Sequence, residues 1–312
     1  MKRLISFSLA ALVLTTVVAD EKRAPRPKFT DDQLRGIFFD KLEDAFRGDR
    51  PSLSSIRKSA QAMPVASATG GSSGGVETAP GKDVWSPLVS STSIEDEVKR
   101  LRLVYDSIVT TPGAFNSGGY QDARLTLTAM ASLFAVINEY GGDVRWKNQA
   151  AVARDLIART AFNCKAGSTQ VYNEAKLRKA DLQDLVSGGG ITSRESSEPK
   201  NDWTMIADRS PMMEYAEQLV EALEDVTNNQ GNAQKEVDLI KRNAELLAMV
   251  AEIFVQEGMD EADDEDYIKL GRDMREASKT MMAAIERKDW DAVIAGPSLI
   301  RQKCDACHDE RR

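Results

Sequence analysis

From Ser93 onward apolar residues recur at spacings of three and four. Ile94, Val98, Leu101, Tyr105 and Ile108 mark one stripe, and Leu127, Met130, Phe134 and Ile137 a second. Ala150, Ala153, Ile157, Ala161 and Cys164 mark a third, and Val171, Ala175, Leu182 and Leu185 a fourth, which the glycine run at 188–190 should end. The pattern then repeats. Met212, Tyr215, Leu219, Ala222 and Val226 follow Ser210-Pro211, where proline suits a first helical turn because its missing N–H has no partner there anyway. Val237, Ile240, Ala244, Leu247, Ala251 and Phe254 form the next stripe, and Tyr267, Leu270, Met274, Ala277, Met281 and Ala284 another. Asp289 should cap a last segment from Trp290 to the C-terminus, which Gly296-Pro297 is expected to kink or restart. Little β-branched alternation occurs anywhere. The expected fold is therefore all-α: two consecutive antiparallel four-helix bundles, residues 93–190 and 205–312, with "TSRESSEPKND" inside an inter-domain linker at 191–204. In both halves an acidic turn precedes an aromatic residue and then a basic-Asp pair, Arg154-Asp155 and Arg272-Asp273, as an internal duplication would leave.

Upstream of Ser93 the pattern changes. Residues 20–92 offer one amphipathic segment, "FTDDQLRGIFFDKLEDAF", with Leu34, Ile37, Phe38, Leu42 and Phe46 along one side. A stretch dominated by Ser, Ala, Gly and Thr follows and reads as flexible linker; its Gly-Gly pairs lack the flanking strand that a phosphate loop needs. At the start, Met1, Lys2 and Arg3 precede an uncharged run from Leu4 to Val18, with Val17 and Ala19 as small residues before Asp20. That is the pattern of a secretory signal peptide over residues 1–19, too short for a membrane anchor that needs about 20 apolar residues. A periplasmic protein without a membrane span in its mature form is the expectation.

Charge restricts the partners. The formal charge of −8 falls to −10 once Lys2 and Arg3 are removed, and a pI near 5.0 argues against a nucleic-acid-binding surface. The chain ends "CDACHDERR", which holds its single histidine, His308. Cys304 and Cys307 are one helical turn apart, so both thiols face one side and can add to the two vinyl groups of a haem, while His308 offers an imidazole to the iron. Two other chemistries use such residues. A zinc site would need Cys164 as a third thiolate, and a Cys-x-x-Cys redox disulfide usually opens a helix in a βαβ setting, whereas this pair closes a helical chain. With the sole histidine committed to iron no Ser-His-Asp or Cys-His dyad can be assembled, so no enzyme is expected. The run "DEADDED" lacks the glycine and ligand spacing of a calcium loop and reads as a solvated turn.

The stretch from about Met212 to Arg312, with "AAIERKDWDAV" leading into "RQKCDACHDERR", resembles the class II cytochromes c, the cytochrome c-prime group. The resemblance implies a four-helix bundle with one covalent haem c, held by Cys304 and Cys307 with His308 as proximal iron ligand. Arg312 stands where that group carries a basic residue near the haem, and Arg311 departs from its usual aromatic. The group's distal residue comes from the start of the bundle's first helix, which puts Met212 or Met213 opposite His308, with Met205 a third choice. Members of the group often pair, so a homodimer is also implied. The expected function is an exported monohaem single-electron carrier working with an unknown redox partner. The alternative is an open distal face that binds or senses a small gas such as NO or CO. Arg301, Lys303, Arg311 and Arg312 around the attachment site are expected to neutralise haem propionates or to dock an acidic partner.

Overall fold

The computed structural model describes residues 83–191 and 197–311. The signal-peptide segment, the amphipathic stretch at 29–46, the Ser/Gly-rich linker and Arg312 lie outside the described residues. Among those described the chain is all-α, with no strand. Eight long helices are present: α1 (Ser91–Ile108), α2 (Tyr120–Glu139), α3 (Ala150–Asn163), α4 (Thr169–Ser187), α5 (Arg209–Val226), α6 (Val237–Ile253), α7 (Glu265–Arg287) and α8 (Trp290–Glu310). None of them is long and apolar enough to cross a membrane.

Local chemistry sets their limits. The Ser90 hydroxyl accepts from the backbone N–H of Ser93 and opens α1 two residues earlier than the apolar stripe alone places it. Gly188, at φ 92°, closes α4 in the left-handed conformation that an L side chain resists. Asp289 caps α8 by accepting from the Ala292 N–H at 3.2 Å. Contrary to expectation, Gly296-Pro297 does not restart this helix, which runs unbroken from Trp290 to Glu310. Gly296 is used for approach instead: a Cβ there would lie 2.7 Å from Met281 Cγ, so the glycine lets α8 pass close against α7.

Helices α1 to α4 pack as a ring of neighbours, α1 on α2, α2 on α3, α3 on α4 and α4 back on α1. Helices α5 to α8 do the same in the same order. The two groups meet where α2 lies on α5 and α1 on α6. These contacts explain why α2 is buried at every position from Thr126 to Ile137 and α6 at every position from Asn243 to Ile253. A helix with an apolar neighbour on each side has no solvent face. Residues 83–191 and 197–311 accordingly belong to one compact unit.

Polar groups are buried along this junction and are paired there. Glu97 is fully buried; it accepts from Arg100 at 2.6 and 2.8 Å and from the Tyr215 hydroxyl of α5 at 2.8 Å. Glu245 of α6 accepts from the backbone N–H and hydroxyl of Ser90 at 3.1 and 2.6 Å. Nearby, residues 198–203, assigned to a linker from their composition, are held in place. Arg154 of α3 is buried and donates to the Asn201 side chain at 2.6 Å and to the Glu198 carbonyl at 2.6 Å. Asn201 in turn donates to the Ala135 carbonyl, and Trp203 packs on Trp85. Arg272, the counterpart of Arg154 in the suspected repeat, is exposed, so the two halves do not use this pair alike.

Candidate functional site

Helix α8 brings Lys303, Cys304, Cys307 and His308 onto one wall of a cleft. The spacing of three and four makes this unavoidable once the segment is helical, since residues so separated share a face. Met213, Ala216 and Glu217 of α5 form the facing wall; Phe254 at the end of α6 and Tyr267, Leu270, Gly271 and Met274 of α7 complete it. Apart from Glu217, Lys303 and His308 the lining is apolar, sulfur-bearing or aromatic. The cleft is narrow, with a cavity volume of about 50 Å³ inside about 520 Å³ of protein-free space that includes its open mouth.

Two sets of arginine contacts hold α8 across the cleft. Arg301 donates to Glu224 at 2.6 and 3.1 Å and to Glu217 at 2.9 Å, tying α8 to α5. At the other end Arg311 donates to Asp264 at 2.7 and 2.8 Å and lies 3.4 Å from Glu261, tying the last turn of α8 to the start of α7. Glu261 also accepts from Arg209 at 2.7 Å, and the Arg209 guanidinium lies 4.8 Å from the Tyr267 ring centroid. The Arg311 guanidinium and the backbone N–H of Tyr267 and Asp266 hold the Asp264 carboxyl down to about 2, so this tie keeps its charge in quite acid solution. Two members of the expected basic cluster therefore have partners within the chain. Arg301 and Arg311 are committed to carboxylates of the chain itself because the rim of the cleft is acidic, and "DEADDED", read as a solvated turn, supplies two of the partners. Lys303 lines the cleft and has no ion-pair partner among the described residues.

The sulfur-bearing residues divide cleanly. Cys304 and Cys307 are free thiols, half-buried in the cleft. Met213 faces them from α5. Met212 turns the other way: it is fully buried against α2, and its Sδ accepts from the Ser132 hydroxyl at 3.4 Å. Met205 is 64% exposed on a short helix and lines no part of the cleft. Cys164 lies in a different cleft with Ser210, Pro211 and Glu214, so it does not join Cys304, Cys307 and His308 in a zinc set. Among the described residues no group of three or more His, Cys, Asp or Glu side chains is disposed to hold a metal ion alone. Phe254, Tyr267 and Met274 belong to stripes that read as ordinary core. The signal that sets them apart is position: Phe254 ends α6, Tyr267 lies in the first turn of α7, and Met274 follows two turns later on the same face, all lining the cleft with the Cys-x-x-Cys-His turn.

Burial pushes the Cys304 thiol up to about 11, with Glu217 adding to the shift, and burial likewise raises Cys307. A raised folded value means that the native chain holds these protons more tightly than the unfolded one. That contribution to stability is present at neutral pH and is lost as pH rises through about 11. Iodoacetamide labelling of Cys304 in protein made without haem maturation is therefore expected to be slow at pH 8 and to accelerate toward pH 11, read by peptide mass spectrometry against a free thiol peptide. Labelling at pH 8 as fast as the peptide would contradict it.

Comparison of the chain with family models, with curated proteins and with solved structures finds no match in any of the three.

Proposed function

We propose that the chain is an exported monohaem c-type cytochrome, a periplasmic single-electron carrier whose second helix group is a four-helix bundle of the cytochrome c-prime kind. The observation that carries this reading is the convergence of Cys304, Cys307 and His308 on one apolar cleft that a thioether, Met213, faces from the opposite wall. The donor set fits a covalently held haem: two unpaired thiols one turn apart, an imidazole next to them, an apolar surround and a free cation, Lys303, at the rim. When bound, the iron supplies a one-electron redox change. The chain supplies the rest. Cys304 and Cys307 would hold the group, His308 would offer its imidazole to the iron, the aromatic wall of Phe254 and Tyr267 would limit water, and Met213 would be the thioether available to it in preference to Met212, whose sulfur is engaged by Ser132. Lys303, and Arg312 as the resemblance implies, would be available to the haem carboxylates.

The deciding measurement is the optical spectrum of the purified protein with and without carbon monoxide. A low-spin reduced form that ignores the gas is expected for the wild type. Met213→Ala is expected to convert it to a high-spin form that binds carbon monoxide, while Met212→Ala leaves the spectrum unchanged and lowers stability by about 2–5 kcal/mol, the range for emptying a buried methionine site. A wild type that is already high-spin and gas-binding would favour the sensing alternative. Absence of covalent haem in protein from a host with c-type maturation would end both.

A further inference from the structure

The charges around the cleft mouth point to the kind of partner that meets it. The turn that precedes α7 and its first turn carry Asp260, Asp263, Glu265 and Asp266, all exposed and all without an ion-pair partner among the described residues. The Arg311–Asp264 tie brings this turn against the end of α8, where Asp305, Asp309 and Glu310 are also exposed and unpaired. The arginines that could offset them, Arg209, Arg301 and Arg311, are already spent on Glu261, Glu217, Glu224 and Asp264. Lys303 remains on the cleft wall, with Lys269 and Arg272 further along α7. His308 is exposed at the same mouth, so this is the face through which a group held in the cleft reaches solvent.

We propose that this face, where the acidic turn before α7 meets the C-terminal turn of α8, is the docking surface for a redox partner that presents a lysine- or arginine-rich patch. The inference rests on the haem reading for its redox role, and it reverses the acidic partner that the sequence alone brings to mind. An apolar cleft mouth at which one sign of charge is in excess steers a partner of the opposite sign and orients it, with its greatest effect on association at low salt. Electron transfer needs that orientation because the exchanging group is reachable from one side.

The test uses the full mature chain and a defined probe, a lysine-rich mitochondrial cytochrome c, beside the same probe with its lysines acetylated. Binding is read by titration calorimetry at low and at high ionic strength. Wild type is expected to bind the basic probe at low salt, to release it at high salt, and to ignore the acetylated form. Asp263→Lys with Glu310→Lys is expected to weaken binding about tenfold at low salt. Asp143→Lys with Asp184→Lys, an equal charge change at exposed positions of the first helix group, should cost less than twofold. Equal losses in the two double variants, or equal binding of acetylated and native probe by wild type, overturn the proposal. Circular dichroism of each variant shows that the fold is kept. A pyridine haemochrome assay on the same samples separates the two readings: binding that follows the expected pattern without haemochrome signal removes the redox role and leaves the docking surface standing.

Discussion

Cys304→Ser combined with Cys307→Ser is expected to abolish covalent haem altogether. Each thiol is the only one its side of the attachment has, because Cys164 is buried in another cleft and held protonated, pushed up to about 12 by burial. Nothing else in the cleft forms a bond that survives extraction. The measurement is haem staining after denaturing electrophoresis and a pyridine haemochrome after acid-acetone extraction, both on protein matured in a host that attaches haem. Each single variant should keep a reduced, one-thioether product. The fold should survive, since both cysteines are half-buried and serine fills the same space; a melting temperature near that of unloaded wild type checks this. Extraction-resistant haem in the double variant would sink the assignment of these two residues.

Glu97→Ala is expected to be the most damaging single change in the protein part, at about 3–5 kcal/mol. The carboxylate is fully buried between the two helix groups and accepts from Arg100 and from Tyr215, with Arg242 Nε 3.8 Å away. Removing it leaves the Tyr215 hydroxyl without an acceptor in a site that water does not reach, and an unpaired buried donor costs about 1–3 kcal/mol by itself. It also brings two like charges together over a new void. Arg100 and Arg242 are partly exposed and can turn outward, which favours the lower end of the range. Tyr215→Phe removes a donor and keeps the volume, so about 1.5–3 kcal/mol is expected there. Combined, the two changes should cost less than their sum, because they break one shared contact. Chemical denaturation of the four proteins makes the cycle; a Glu97→Ala protein within 1 kcal/mol of wild type would show that the buried carboxylate is not what joins the groups.

Much of this was legible in advance, for identifiable reasons. Apolar spacing located every long helix because each has at least one face against a neighbour; Ile94, Val98, Leu101 and Tyr105, for example, are all buried. Capping chemistry located Asp289 and Gly188. What periodicity could not convey is which helix meets which. Stripes describe one buried face, and α2 and α6 have no other kind, so the side of α2 that covers α5 looked like more of the same core. For the same reason Met212 and Met213 were indistinguishable as letters. They are adjacent on a helix, about 100° apart around its axis, and that rotation sends one sulfur to Ser132 and the other to the cleft. The arginines misled because a charge in sequence says nothing of its neighbours in space. Arg301 meets Glu217 and Glu224 some 77 to 84 positions away. Pro297 misled in the other direction: α8 runs through it unbroken, while Gly296 beside it serves the close approach to α7.

Because the central stretches of α2 and α6 have no face of their own in water, the two helix groups are expected to melt from a shared interior and not from two. Occupancy of the cleft is then felt by residues that never touch it. Any group that α8 binds more tightly in the native chain than in the unfolded one stabilises α1 to α4 by the same amount as α5 to α8. Reciprocally, a defect beside Glu97 lowers the apparent affinity of the cleft only to the extent that it populates the unfolded chain. The helices without a Cys-x-x-Cys-His turn would in this sense share in the thermodynamics of any group the cleft holds without being part of its surroundings.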